Sequence, residues 1–362
     1  MKKLTLAVFL FCSCLLTFGQ TAKYSNEFLS LGIGARGLGM ANTMTAMAND
    51  VTAAYWNPAN LSTMEKRYEL GLMHAEYFAG IAKYDYAGVA ARIDSQSTVG
   101  FSWIRFGVDN IMNTTELIDN QGNIDYSKIS YFSSADNAFL LTYAHNFKQV
   151  KGLSLGGNVK VLHRRIGDFA NAWGFGIDLG LHYVNRGWNV GVMLRDATST
   201  FNAWNYHLSD QVISVFEETG NEIPNNQLEL TLPKMMLGAG KYVDFGKGFN
   251  ATFALDFDFT FDGKRHSLIR SNVLCIDPHF GMEFAYKKIV AIRAGIGNFQ
   301  QERDFDGKNK TTLQINLGIG VCIKNIVTID YALTDIGDLS IAQYSHIFSL
   351  KVAIDRFRKK NN

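Results

Sequence analysis

The chain has 362 residues, with 35 Lys and Arg against 33 Asp and Glu, and only 19% of its residues are charged. That balance offers no broad basic face for nucleic acid and no block of like charge for a solvated tail, while 47% hydrophobic and 13% aromatic residues exclude intrinsic disorder. With 33 Gly, 26 Phe, 15 Tyr and only 4 Pro, and a mean hydropathy of −0.03, the composition suits long unbroken strands and excludes a polytopic helical membrane protein.

Lys2 and Lys3 precede an apolar stretch from Leu4 to Phe18, and polar sequence resumes at Gln20-Thr21-Ala22-Lys23. A positive start and an apolar run of roughly fifteen residues are the marks of a cleaved export signal. Residues 1–20 are read as that signal, cut near Gly19 or Gln20. A lipoprotein would need a cysteine at the cut, but Cys12 and Cys14 lie inside the apolar run. The mature chain then keeps Cys275 and Cys322, too few for a disulfide framework or a four-ligand metal site. They read as free thiols, and no cofactor or metal is expected.

Residues 21–66 form the second unit, and they do not alternate. Gly32-x-Gly34-x-x-Gly37 matches a dinucleotide fingerprint on paper. It lacks the preceding buried strand and the βαβ unit that such a site requires. The glycines better suit a compact plug whose backbone packs closely inside a wall.

From residue 67 to 362 period-two alternation dominates, the mark of strands whose faces meet different surroundings. Phe253, Leu255, Phe257, Phe259 and Phe261 share one face, while Thr252, Asp256, Asp258 and Thr260 share the other. About fourteen such segments are expected, near residues 68–79, 80–93, 97–107, 136–148, 151–167, 172–185, 187–196, 233–243, 248–262, 278–288, 289–299, 311–323, 325–333 and 344–357. Connections after the even segments are short. Those after the third, seventh, ninth, eleventh and thirteenth are mostly long, at 108–135, 197–232, 263–277, 300–310 and 334–343.

That alternation places the long loops at one end, as in outer-membrane barrels. Open sheet edges are forbidden in lipid, so the strands must close on themselves. The expected fold is all-β: a fourteen-stranded antiparallel transmembrane barrel in the outer membrane, contacting lipid, with an N-terminal hatch plugging its lumen. Parity projects Lys160, Asp178, Arg195, Asp256, Asp258, Glu283, Arg293, Asp330 and Lys351 inward, where opposite charges can pair. On a lipid-facing position a Lys or Arg would cost about 2–4 kcal/mol at the midplane. Phe357 falls on the inward parity of the last strand and calls for a bulge or frayed end. Cys275 and Cys322 should lie at opposite ends, roughly 25 Å apart, given the height of the apolar band.

The N-terminal words are Asn26-Glu27-Phe28-Leu29, Gly34-Ala35-Arg36-Gly37, Asn49-Asp50 and Tyr55-Trp56-Asn57-Pro58-Ala59. Placed before a fourteen-strand pattern, they resemble the long-chain fatty-acid transporter (FadL-like) superfamily, in which the Asn-Pro-Ala segment belongs to the hatch. Gly34, Arg36, Gly37, Asp50, Asn57, Pro58 and Ala59 are the hatch-motif residues. Further words, among them His74-Ala75-Glu76-Tyr77-Phe78 and Ser345-His346-Ile347-Phe348, are similar to the PorV/PorQ branch of Bacteroidota.

That resemblance implies a non-catalytic component of type IX protein secretion, whose partners are the translocon, attachment proteins or cargo C-terminal domains. The superfamily implies the alternative, a channel for a hydrophobic ligand such as a long-chain fatty acid. The 197–232 connection carries Phe201, Trp204, Tyr206, Val212, Ile213, Val215 and Phe216, and apolar residues on a long loop suggest a partner site. The same groups could instead fold over the barrel mouth. An enzyme is not expected, since His-Glu-x-x-His does not occur and the eight His are scattered.

Overall fold

In the computed structural model, residues 25–118, 123–303, 309–336 and 344–355 are described. The expected export signal, several loop centres and Phe357 lie outside these residues. The described strands are β1 (Tyr68–Tyr77), β2 (Ala82–Arg92), β3 (Ser97–Asn113), β4 (Ser130–Phe147), β5 (Leu153–Ile166), β6 (Ala170–Asn185) and β7 (Trp188–Arg195). They continue with β8 (Thr200–Tyr206), β9 (Gln227–Thr231), β10 (Lys234–Gly246), β11 (Phe249–Thr260), β12 (Ile269–Arg270) and β13 (Cys275–Tyr286). The last are β14 (Val290–Arg303), β15 (Asn309–Ile323), β16 (Val327–Ile336) and β17 (Ser345–Ile354).

Fourteen of these form an antiparallel ring, running β1 to β7, then β10, β11 and β13 to β17. β1 pairs with β2 on one side and with β17 on the other, from Tyr68↔Ile354 to Glu76↔His346, so the ring is closed. Each expected segment is a wall strand. Alternation does the sorting: on β11, Leu255 is 40% exposed while its neighbour Asp256 is 1% exposed. Apolar side chains face the lipid, and the polar ones face the lumen.

The expected loop at 197–232 begins and ends in two further strands, β8 and β9. β7 and β8 both pair with β6, at residues 179–185 and 170–175 respectively, so β8 continues β7 beyond an interruption at 196–199. Asp196 and Ser199 turn left-handed there, with φ of 56° at each. β9 pairs with β8 as β10 pairs with β7, and Leu232-Pro233 separates them. Two kinked strands therefore rise past the ring and are capped by helix α3 (Asp210–Glu218), whose first turn Ser209 closes by accepting from Val212 N at 3.3 Å. β3 and β4 likewise lengthen into the expected 108–135 loop, past a bulge between Val108 and Ile111.

Inside the ring lies the hatch, residues 25–67. It holds short helices α1 (Ala35–Gly39) and α2 (Ala53–Trp56) and 3-10 turns at Glu27–Ser30 and Pro58–Thr63. Its path runs from the long-loop end, where Asn26 meets Asn202 and Thr231, to the short-turn end, where Arg92 donates to Met64 O. The apolar core sits between hatch and wall. Ile33, Met40, Met44, Trp56 and Leu61 from the hatch pack with Met73, Tyr84, Ile104 and Leu162 from the strands.

Candidate functional site

Two regions carry the chemistry: the junction between hatch and wall, and the vestibule above it. The junction depends first on missing side chains. Gly156 (β5), Gly191 (β7), Gly281 (β13) and Gly295 (β14) face inward where the hatch backbone lies. A Cβ on Gly156 would sit 2.5 Å from Ala59 N, and one on Gly281 would sit 2.5 Å from Met40 O. Such separations are overlaps, so a belt of glycine lets two backbones touch across the lumen.

Buried polar groups then fasten the hatch. Arg36 reaches Glu283 of β13 through two hydrogen bonds of 3.0 Å, and its Nη1 donates to Asn49 at 2.8 Å. Glu283 also accepts from Arg293 of β14 at 2.6 Å, and Arg293 donates to Asp330 of β16 at 2.7 Å. Asp50 accepts from Lys351 of β17 at 2.8 Å, and Glu69 of β1 accepts from Val51 N at 2.9 Å. Burial alone would raise the Asp50 carboxyl, but Lys351 and Arg36 hold it well below the ordinary carboxylate range.

On the opposite wall Lys160 lies between Asp178, at 2.9 Å, and Asp196, at 2.5 Å. The β7–β8 interruption is what turns Asp196 inward to that ammonium. Beside it Arg195 donates to Leu29 O at 2.6 Å and Tyr55 O at 3.2 Å, with its guanidinium 4.5 Å from the Tyr55 ring centre. The inward charges expected from parity are thus in the lumen, and most are ion-paired. What parity could not supply was their pairing with the hatch.

The expected hatch-motif residues all lie inside the ring but meet different parts of its wall, Arg36 at β13, Asp50 at β17 and Asn57 at β6. Asn57 caps the turn begun by Pro58, accepting from Ala59 N at 3.1 Å and donating to Thr45 O at 2.9 Å and to Leu181 O of β6 at 3.0 Å. Gly34 turns with φ of 79°, and its N donates to Met73 Sδ at 2.9 Å. Gly37 lies under the Trp56 ring. The 197–232 residues are dispersed. Trp204 is buried, its Nε1 donating to Glu229 at 2.6 Å and its ring 5.0 Å from the Arg164 guanidinium. Tyr206, Val215 and Phe216 are half-buried, and Phe201 is exposed on the outer face of β8.

Above the hatch, at the long-loop end, a cavity of about 550 Å³ is lined by Leu31, Leu38, Tyr77 and Phe78 on one side and by Lys234, Asp258, Asp277 and His279 among others. A second cavity of about 200 Å³ opens at the short-turn end beside Glu65, Lys66 and Lys288. Two cavities between hatch and wall, one beside Leu29 and one beside Val51, are of about 30 Å³ each, room for a water and little more. Cys275 lines the upper cavity and Cys322 the lower one, both as free thiols, in accord with the expected opposite ends.

No protein-family model matches the chain, and no curated protein matches its sequence. Solved structures do match its shape. The CymD monoaromatic hydrocarbon channel aligns with a TM-score of 0.55 and 13% identity, over 91% of this chain and 99% of that one. The toluene transporter TodX of Pseudomonas putida gives 0.55 and 13%, over 88% and 96%. A FadL homologue of Pseudomonas aeruginosa gives 0.50 and 12%, over 89% and 98%. The chain therefore has the fold of the FadL-like outer-membrane barrels, a closed fourteen-stranded cylinder with its N-terminal segment packed inside.

Proposed function

We propose that this barrel is a FadL-like channel of the outer membrane, admitting small hydrophobic or amphipathic molecules from outside, with the hatch as its gate. The observation carrying this reading is the vestibule of about 550 Å³ at the long-loop end, floored by hatch residues Leu31 and Leu38. The shared fold of hydrocarbon channels supports it. Passage requires the hatch to shift, because the cavities beside it are of about 30 Å³. The protein acts by binding and gating, and no catalytic step is assigned to it. Purified barrel in liposomes should raise the uptake rate of toluene or oleate several-fold over empty liposomes. Uptake of both solutes no faster than in empty liposomes would overturn the reading.

A second reading is a PorV/PorQ-type accessory of type IX secretion, binding cargo or translocon partners from outside. The tight fastening of the hatch favours it, as does the exposed apolar surface of Phe201, Leu228 and Leu230 on the raised β8–β9 pair. Affinity purification from native outer membranes separates the two readings. Recovery of secretion components would support the second, and their absence from a folded, tagged preparation would remove it.

A further inference from the structure

The vestibule is chemically two-sided, and its charges do not balance. Four carboxylates line it, Glu27, Asp258, Asp277 and Asp335, against two permanent cations, Lys234 and Arg265. Both cations are engaged: Lys234 Nζ lies 2.8 Å from Asp258, and Arg265 lies 2.7 Å from Glu27 and also pairs with Asp262. An anionic head entering here would meet no unmatched cation.

The acceptor side is different. His279 is 8% exposed, and its buried Nε2 has no hydrogen-bond partner although it stands 3.5 Å from Asp277 and 3.9 Å from Asp258. Asp277 Oδ1 is likewise buried without a partner. Buried polar atoms are normally satisfied, and leaving one unmet costs about 1–3 kcal/mol. Asp277 and His279 both line the large cavity, so this unmet pair lies just behind its wall, where a donor would satisfy it. Opposite stand Leu31, Leu38, Tyr77 and Phe78, which would cover an apolar body.

We infer that the vestibule is a binding site for amphipathic molecules with a protonated amine head, held by Asp277 and His279 while the apolar portion rests on Leu31, Leu38, Tyr77 and Phe78. The excess of carboxylates favours a cation, and the amine supplies the missing donor. This deepens the channel reading and rests on its premise that ligands enter the vestibule. Equilibrium binding needs no transport, however, so the two can fail separately.

The test is calorimetric titration of the full-length barrel in nanodiscs with three probes of similar shape: 2-phenylethylamine, 3-phenylpropionate and ethylbenzene. The amine should bind saturably at one site, at least tenfold more tightly than either other probe. Asp277→Asn should weaken the amine at least tenfold and leave ethylbenzene unchanged, while Phe78→Ser should weaken the amine and ethylbenzene together. Heat-modifiable migration verifies folding, and His279→Gln, expected to weaken the amine severalfold, replaces Asp277→Asn if that variant does not fold. Absence of saturable amine binding, tighter or equal binding of the anion or the hydrocarbon, or an unchanged amine affinity in the folded variant would each overturn the inference.

Discussion

Arg36 and Glu283 stand 247 residues apart in sequence and are joined by two hydrogen bonds of 3.0 Å each. This fork-to-fork contact ties the hatch to the wall. Glu283 carries more than one load, because Arg293 also donates to it at 2.6 Å. Glu283→Ala would leave Arg36 without its carboxylate and Arg293 with Asp330 alone, at a cost of about 3–5 kcal/mol for breaking a buried ion pair. Arg36→Ala leaves Glu283 still paired and should cost less, about 1.5–3 kcal/mol. Unfolding midpoints in guanidinium, measured on the barrel in lipid, check the order.

Gly156 and Gly157 are neighbours that face opposite solvents. A methyl group at 156 would strike the Pro58–Ala59 backbone, whereas one at 157 comes no closer than 3.3 Å to any neighbouring atom. Gly156→Ala should therefore displace the hatch, at about 1–3 kcal/mol of overpacking, and Gly157→Ala should leave it in place. Protease cleavage within residues 25–67 of the folded barrel is the readout, and equal cleavage of the two variants would contradict this account.

Asp50 gives the junction a defined pH response. Its folded value lies below the ordinary carboxylate value of about 3.9. The bond to Lys351 thus contributes in full above about pH 4 and is lost only as pH falls further, toward the folded value. Loss of the Asp50–Lys351 bond should weaken hatch protection from proteolysis as pH falls below about 4. Asp50→Asn should lower protection at neutral pH and remove that acid-dependent step.

The raised β8–β9 pair is held by the wall and is not a free loop. Trp204 packs with Ala170 and Ala172 of β6, and Glu229 accepts from Trp204. Deleting residues 207–226 should remove α3 while barrel assembly and thermal stability stay unchanged. Deleting 200–230 would also expose the upper edge of β6, and unpaired edges promote association. Light scattering of the two purified variants distinguishes them.

Much of this architecture was legible because lipid imposes a strict rule on side chains. Phe253, Leu255 and Phe257 must point outward, and Asp256 must not, so strand and facing follow from the order of residues alone. Above the membrane that rule lapses. On β8 the inward positions are Thr200, Asn202 and Trp204, a mixture with no apolar stripe, so the stretch reads as a loop. The hatch words located the plug but not its partners. Arg36 and Glu283 were each recognisable, one as a motif residue and one as an inward charge. Their meeting depends on the whole barrel closing, which no local pattern encodes. Asp196 escaped notice for a similar reason, since its inward turn comes from the interruption between β7 and β8.

Hatch residues 50 and 51 straddle the join between the first and last strands: Asp50 grips Lys351 of β17, Val51 is bonded to Glu69 of β1, and Lys351 lies opposite Gly71 in the ladder. The plug is thereby a clasp as well as a stopper. A ring that zips shut with its clasp missing would lack two of the bonds across its own closing line. Sealing the cylinder and seating its occupant are consequently one cooperative event during membrane insertion, and a mutant that cannot seat the plug should be slow to finish its wall.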